Sequence, residues 1–105
     1  MITEVTTDIE LRNAIEGGGL RVLYFCADWC GPCKAFAPLL GRVATEMKDV
    51  VTFVKAKVED CPEETVRMAV WSVPTLVAFK DGVEIDTRKG AQSQASFTAW
   101  LASLA

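Results

Sequence analysis

The chain contains no histidine, which removes the commonest general base and the commonest metal ligand. It has no excess of positive charge. Eleven Lys and Arg stand against fourteen Asp and Glu, for a net charge of −3, and a nucleic-acid surface is usually strongly basic. No apolar run approaches the roughly 18 residues of a membrane span. The opening Met1-Ile2-Thr3-Glu4-Val5 has neither the basic n-region nor the long apolar h-region of a secretory signal. No linker, repeat or low-complexity stretch is visible. At 105 residues, one domain over 1–105 is expected, large enough to bury a core without metal or disulfide staples. Half the residues are hydrophobic and about a quarter charged, the balance of a soluble globular protein. Four cysteines are few for a disulfide scaffold. With no export signal visible, the expectation is a cytoplasmic protein, where a C-x-x-C pair is more often catalytic or metal-binding than structural.

What is present centres on Trp29-Cys30-Gly31-Pro32-Cys33-Lys34. Two cysteines separated by two residues can close a small reversible ring, and they can also form half of a zinc site. The usual zinc pattern needs a second closely spaced pair. The remaining cysteines, Cys26 and Cys61, are isolated from each other.

The motif lies where a strand gives way to a helix. Leu20 to Cys26 is apolar apart from Arg21 and reads as a strand buried on both faces. After the motif, Leu39, Leu40, Val43, Ala44 and Met47 recur at helical spacing, with Pro38 inside as a kinking residue. Upstream, Thr7-Asp8-Ile9-Glu10 reads as a capping box opening a helix with Ile9, Ala14 and Ile15 as apolar positions. Gly17-Gly18-Gly19 ends that helix. Val50 to Val58 reads as a second buried strand, and Cys61-Pro62-Glu63-Glu64 as a helix start. Thr75 to Lys80 and Val83 to Arg88 read as strands joined by an Asp81-Gly82 hairpin turn. Ser96, Phe97, Trp100, Leu101 and Leu104 outline a last helix. With a short strand at residues 2 to 5, the order is β-α-β-α-β-α-β-β-α. Its first half should be parallel with crossover helices, and its end an antiparallel hairpin.

These features together resemble the thioredoxin family, collinearly over essentially the whole chain. The resemblance rests on the Trp29–Lys34 hexapeptide, Pro38, Val73-Pro74-Thr75 at a strand start, the turn at Gly82, and Gly90 after the last strand. It implies an α/β fold with a central mixed sheet flanked by helices and the dithiol on a protruding corner. The implied activity is thiol–disulfide exchange: a protein-disulfide reductant cycling Cys30 and Cys33 between dithiol and disulfide. The resemblance makes Cys30 the nucleophile and Cys33 the resolving thiol. This suits the physical chemistry, because the thiolate is the attacking species and unpaired N–H groups at a helix N-terminus favour it. Gly31-Pro32 sets the ring geometry and resembles the dipeptide of the reducing members of the family. Pro74, after Val73, matches a cis-proline facing the dithiol, whose exposed backbone edge can pair with an extended substrate segment. Trp29, Val73, Gly90 and Ala91 match the apolar rim that contacts substrates. The implied partners are disulfide-containing proteins and a thioredoxin reductase, a flavoprotein drawing on NADPH. No bound cofactor, metal, nucleic acid or membrane partner is expected, and the protein is expected to be a monomer.

The chain also departs from the family pattern. Tyr24 stands where the family buries an aspartate beneath the dithiol, and Cys26 where a tryptophan is common. The lysine that neighbours that aspartate is kept as Lys55. A phenol of pKa near 10 is a poor general base at neutral pH. Lys55, without its carboxylate, is expected to snorkel, to pair with Glu59 or another acid, or to lose its proton. Tyr24 and Cys26 alternate along one strand and should share a face, which makes Cys26 either a small core residue or a third thiol near the pair. Cys61 is expected to be an exposed thiol beside a helix cap, and Glu59, Asp60, Glu63 and Glu64 a solvated acidic face. Two other classes remain open at this point: a non-catalytic interaction module docking into a larger assembly, and a thiolate metal-binding protein.

Overall fold

The computed structural model describes residues 2–105. The strands are β1 (Ile2–Val5), β2 (Leu20–Cys26), β3 (Val51–Lys57), β4 (Thr75–Lys80) and β5 (Val83–Lys89). The helices are α1 (Asp8–Ile15), α2 (Gly31–Glu46), α3 (Pro62–Arg67) and α4 (Gln94–Leu104). The sheet order is β1-β3-β2-β4-β5. β1, β3 and β2 run parallel, while β4 and β5 are antiparallel additions. This is the mixed, helix-flanked sheet expected from the sequence, with the hairpin at its end.

β2 lies in the middle, between β3 and β4, and a core on each side buries all of it except the half-buried Arg21. That explains its nearly unbroken apolar run. Its residues alternate between two cores. Leu20, Val22, Tyr24 and Cys26 join the core that includes Phe36, Leu40, Val43, Phe97 and Trp100 from α2 and α4. Leu23 and Phe25 join the other, with Leu11 and Ile15 of α1, Cys61 and Val70. Tyr24 and Cys26 therefore share a face, as the period of two requires.

Local chemistry sets the element ends. Thr7 caps α1 by accepting the Glu10 N–H at 3.1 Å, and the Glu10 carboxylate reaches back to the Thr6 N–H at 3.0 Å. The box thus closes one residue earlier than the reciprocal form. Asp81 and Gly82 both have positive φ, 51° and 83°, the geometry of the hairpin turn their sequence implied. Asp81 Oδ1 also accepts the Gly19 N–H at 2.8 Å, tying this turn to the loop before β2. α2 is one helix of 16 residues with Pro38 inside it. Pro38 has no N–H to offer the Lys34 carbonyl one turn earlier.

Three local expectations fail. Ile9 is 70% exposed, and Leu11 is the residue wholly buried from that helix; α1 is turned so that Leu11 and Ile15 face the sheet. Cys61 is fully buried in the second core rather than exposed. It occupies the cap position of α3 but makes no cap bond, because its side chain points inward. The acidic stretch is not all solvated. Glu64 is fully buried, held by Arg12 Nη2 at 2.8 Å and Arg67 Nε at 3.0 Å.

Candidate active site

The C-terminal end of β2 delivers the chain to the dithiol. Ala27 to Trp29 turn away from the strand, with the Cys30 N–H donating to the Ala27 carbonyl at 3.2 Å. Cys30 is then the N-cap of α2, in extended conformation, and its Sγ accepts the Cys33 N–H at 3.1 Å. Gly31 and Pro32 supply the first helical positions, where a proline costs no backbone bond. The two sulfurs are joined as a disulfide, with the Cα atoms 5.3 Å apart. Cys33, lying further into the helix than Cys30, is expected from its position to be the more buried thiol. In this oxidised form the two residues are 3% and 4% exposed, because the closed ring draws Cys30 against Cys33 and Ala27 in the same core.

The rim residues assemble from two further segments. The Val73–Pro74 peptide bond is cis. Pro74 is buried and Val73 half-buried. The Gly90 N–H donates to the Pro74 carbonyl at 2.8 Å, which draws the end of β5 against this loop; Gly90 takes φ 85° there, a conformation that favours glycine. Ala91 follows on the surface. Trp29 is 74% exposed and, with Val73, lines a groove of about 150 Å³ completed by Val58, Thr65, Val70, Trp71 and Ser72. The groove brings the residue before the dithiol and the residue before the cis-proline to one surface. Trp71, 77% exposed, is the residue that motif reading passes over. Its only sequence signal is its place two residues before Val73.

On the other side of the dithiol lies a cavity of about 240 Å³, lined by Tyr24, Cys26, Ala27, Asp28, Cys33, Lys34, Ala37, Lys55 and Lys57. Tyr24 and Cys26, which depart from the family pattern, and Lys55 all line this cavity with Cys33. The Tyr24 hydroxyl donates to the Cys33 carbonyl at 3.2 Å, and its ring packs on Phe36 at 5.8 Å. Burial, helped by the nearby Cys26, pushes its pKa up to about 12. Cys26 Sγ lies 3.8 Å from the Ala56 carbonyl. Burial pushes its thiol up as well, against the pull of Lys55 and Lys57. The ion-paired lysine of β3 is Lys57, 3.0 Å from Asp28 Oδ1. Of the three outcomes expected for Lys55, ion pairing is taken up instead by its neighbour two residues on, and Lys55 is half-buried on the cavity wall.

Cys61 is remote from this site, in the second core with Leu11 and Val70. Burial first, then Asp8 and Asp60, pushes its thiol up to about 11. Among the described residues, no group of three or more acidic, cysteine or histidine side chains could hold a metal ion.

Comparison with known proteins gives one consistent result. The family model described as Thioredoxin matches residues 2–103. A curated thioredoxin of Rickettsia typhi is 34% identical over 102 residues, covering 96% of each chain. Among solved structures, Plasmodium falciparum thioredoxin superposes with a TM-score of 0.90 at 29% identity, over 98% of this chain and 99% of that one. Oxidised mitochondrial thioredoxin 3 of Saccharomyces cerevisiae gives 0.87 at 34% identity, over 97% and 94%.

Proposed function

The chain belongs to the thioredoxin family and is a thiol–disulfide oxidoreductase, and from that premise we propose that it works as a reductant of protein disulfides, with Cys30 as nucleophile and Cys33 as resolving thiol. The observation that carries this assignment is the placement of Cys30 Sγ at the cap of α2, accepting the Cys33 N–H at 3.1 Å. An N–H aimed at sulfur at a helix start favours the thiolate over the thiol.

The exchange proceeds in two displacements. The Cys30 thiolate attacks one sulfur of the substrate disulfide. A Cys30–substrate S–S bond forms, and the other substrate sulfur leaves as a thiolate. The Cys33 thiolate then attacks Cys30 Sγ, closing the Cys30–Cys33 bond and releasing the second substrate thiolate. The substrate gains two electrons and the protein dithiol loses them, while water takes up and returns the protons. Tyr24 does not serve as a base in this scheme. Its pKa of about 12 keeps it protonated at working pH, and it instead fixes the backbone of Cys33. Trp29, Gly31, Pro32, Val73, Pro74, Gly90 and Ala91 form the substrate-contacting rim.

A thioredoxin reductase drawing on NADPH completes the cycle by re-reducing the pair. The protein acts as a monomer in the cytoplasm, a setting in keeping with the unpaired thiols of Cys26 and Cys61. The decisive experiment follows insulin reduction with dithiothreitol, and NADPH oxidation with a panel of thioredoxin reductases, for wild type, Cys30→Ser and Cys33→Ser. Wild type accelerates both reactions, Cys30→Ser is inert, and Cys33→Ser accumulates a mixed disulfide on Cys30. A wild-type protein that accelerates neither would mark a docking module instead.

A further inference from the structure

The three tryptophans of this chain are used in two different ways. Trp100 is a structural residue. It is 2% exposed, packs on Phe97 at 6.4 Å, and its indole N–H donates to Asp86 Oδ2 at 2.8 Å. Trp29 and Trp71 are 74% and 77% exposed, so core packing explains neither. Both border the same groove, although 42 positions separate them in the sequence and they come from different segments.

The groove has a definite chemistry. It is lined by Val58, Val70, Val73 and the two indoles, with the small hydroxyl residues Thr65 and Ser72, and no charged side chain lines it. In a chain with a net charge of −3, an uncharged cleft framed by two exposed indoles selects an apolar occupant. Its volume of about 150 Å³ matches the roughly 150 Å³ of an apolar cavity that accepts a benzene ring. Two of its lining residues also adjoin the reacting centre in the chain. Trp29 directly precedes Cys30, and Val73 directly precedes the cis-proline Pro74.

Building on the assignment of Cys30 as nucleophile, we propose that Trp71 is a specificity-determining residue: with Trp29 it clasps an aromatic or large aliphatic side chain within two residues of the substrate's reacting cysteine. An extended substrate advances about 3.3 Å per residue, so a neighbour of the bonded cysteine stays within reach of the groove. An indole gives such a side chain a broad, rigid face, and aromatic pairs gain beyond plain area burial. Proteins whose reducible cysteine is flanked by Phe, Tyr, Trp or Leu are thereby favoured over those flanked by small or charged residues.

The test uses two peptides with the same disulfide, one carrying Phe beside the cysteine and the other Ser, with a small aromatic disulfide as a third substrate. Wild type, Trp71→Ala and Trp71→Phe are compared by the ratio of kcat/KM for the Phe peptide to that for the Ser peptide. Wild type prefers the Phe peptide. In Trp71→Ala that preference falls roughly 3- to 10-fold, the range of one aromatic contact, and the change lies in KM. Trp71→Phe keeps most of it. General damage to the fold would lower both rates and leave the ratio in place. Equal ratios for wild type and Trp71→Ala overturn the proposal. Failure of wild type to reduce any of the three disulfides overturns instead the reading on which it rests.

Discussion

The Tyr24 hydroxyl donates a hydrogen bond to the Cys33 carbonyl across 3.2 Å. This contact joins the central strand to the first turn of the helix that carries the dithiol. Where the family resemblance leads one to expect a buried carboxylate, the chain has a neutral phenol used as a brace. The brace continues through aromatic contacts from Tyr24 to Phe36 at 5.8 Å and from Phe36 to Phe97 at 5.3 Å, linking β2, α2 and α4. Beyond its disulfide and its N–H bond to Cys30, Cys33 is thus braced by packing and by the Tyr24 hydrogen bond.

The first prediction concerns stability against pH. Tyr24 has a folded pKa of about 12 against an ordinary value of 10. A raised value means that the folded state favours the protonated phenol. That stabilisation is fully present below pH 10 and is lost as pH rises through 12. Tyr24→Phe gives up a buried hydrogen bond of about 1 kcal/mol but has nothing to ionise. Wild type is therefore the more stable at pH 8. Between pH 10 and 12 it loses about 2 kcal/mol from this group, and the order of the two proteins reverses. Urea midpoints of both oxidised proteins at pH 8, 10 and 11.5 check this. A difference that stays constant across the series refutes it.

The second prediction concerns the resolving step. With nothing at position 24 titrating below pH 10, release from a Cys30 mixed disulfide should rise between pH 6 and 9 with a single thiol ionisation. Tyr24→Asp places a carboxyl among Cys26, Cys33 and Phe36, where burial raises its own pKa. When ionised, it opposes the Cys33 thiolate. Single-turnover rates for the variant should show a second ionisation in that window. A profile identical to that of wild type would mean that position 24 has no influence on proton movement at Cys33.

The third prediction separates the four cysteines. Cys26 and Cys61 are buried, and burial pushes both thiols up. At a pKa of about 11, the Cys61 thiolate fraction at pH 8 is on the order of 100-fold below that of a free thiol. In the reduced native protein, iodoacetamide should therefore label Cys30 first and leave Cys61 and Cys26 unmodified until urea is added. Under strong oxidation the Cys30–Cys33 bridge should remain the one that forms, with Cys26 held toward the Ala56 carbonyl. Peptide mass spectrometry reads both results. A bridge from Cys26 to Cys33 would instead establish Cys26 as a third redox thiol.

The boundaries between sequence and structure follow a physical pattern. The strand from Leu20 to Cys26, the Asp81-Gly82 turn, the cap at Thr7 and the hexapeptide were legible because each depends on residues close together in the chain. Backbone geometry and short-range hydrogen bonds fix such features, whatever the rest of the molecule does. The structure departs from local expectation where two distant segments decide the outcome. Cys61 looked exposed beside a proline and two glutamates, yet the packing of α1 over α3 encloses it. Glu64 looked solvated, but Arg12, 52 residues away in sequence, and Arg67 hold its carboxylate inside.

The sequence by itself therefore determined the dithiol, its place at the start of a helix and the fold that presents it. The alternation along β2 also put Tyr24 and Cys26 on one face, since a strand repeats every two residues. Only the tertiary structure decided what those residues do there. It turned the Tyr24 hydroxyl to the Cys33 carbonyl, gave the ion pair at the cavity to Lys57 rather than Lys55, and brought Trp71 and Trp29 into the lining of one groove. Each outcome depends on where separate segments meet in space, and no local spacing rule encodes that meeting.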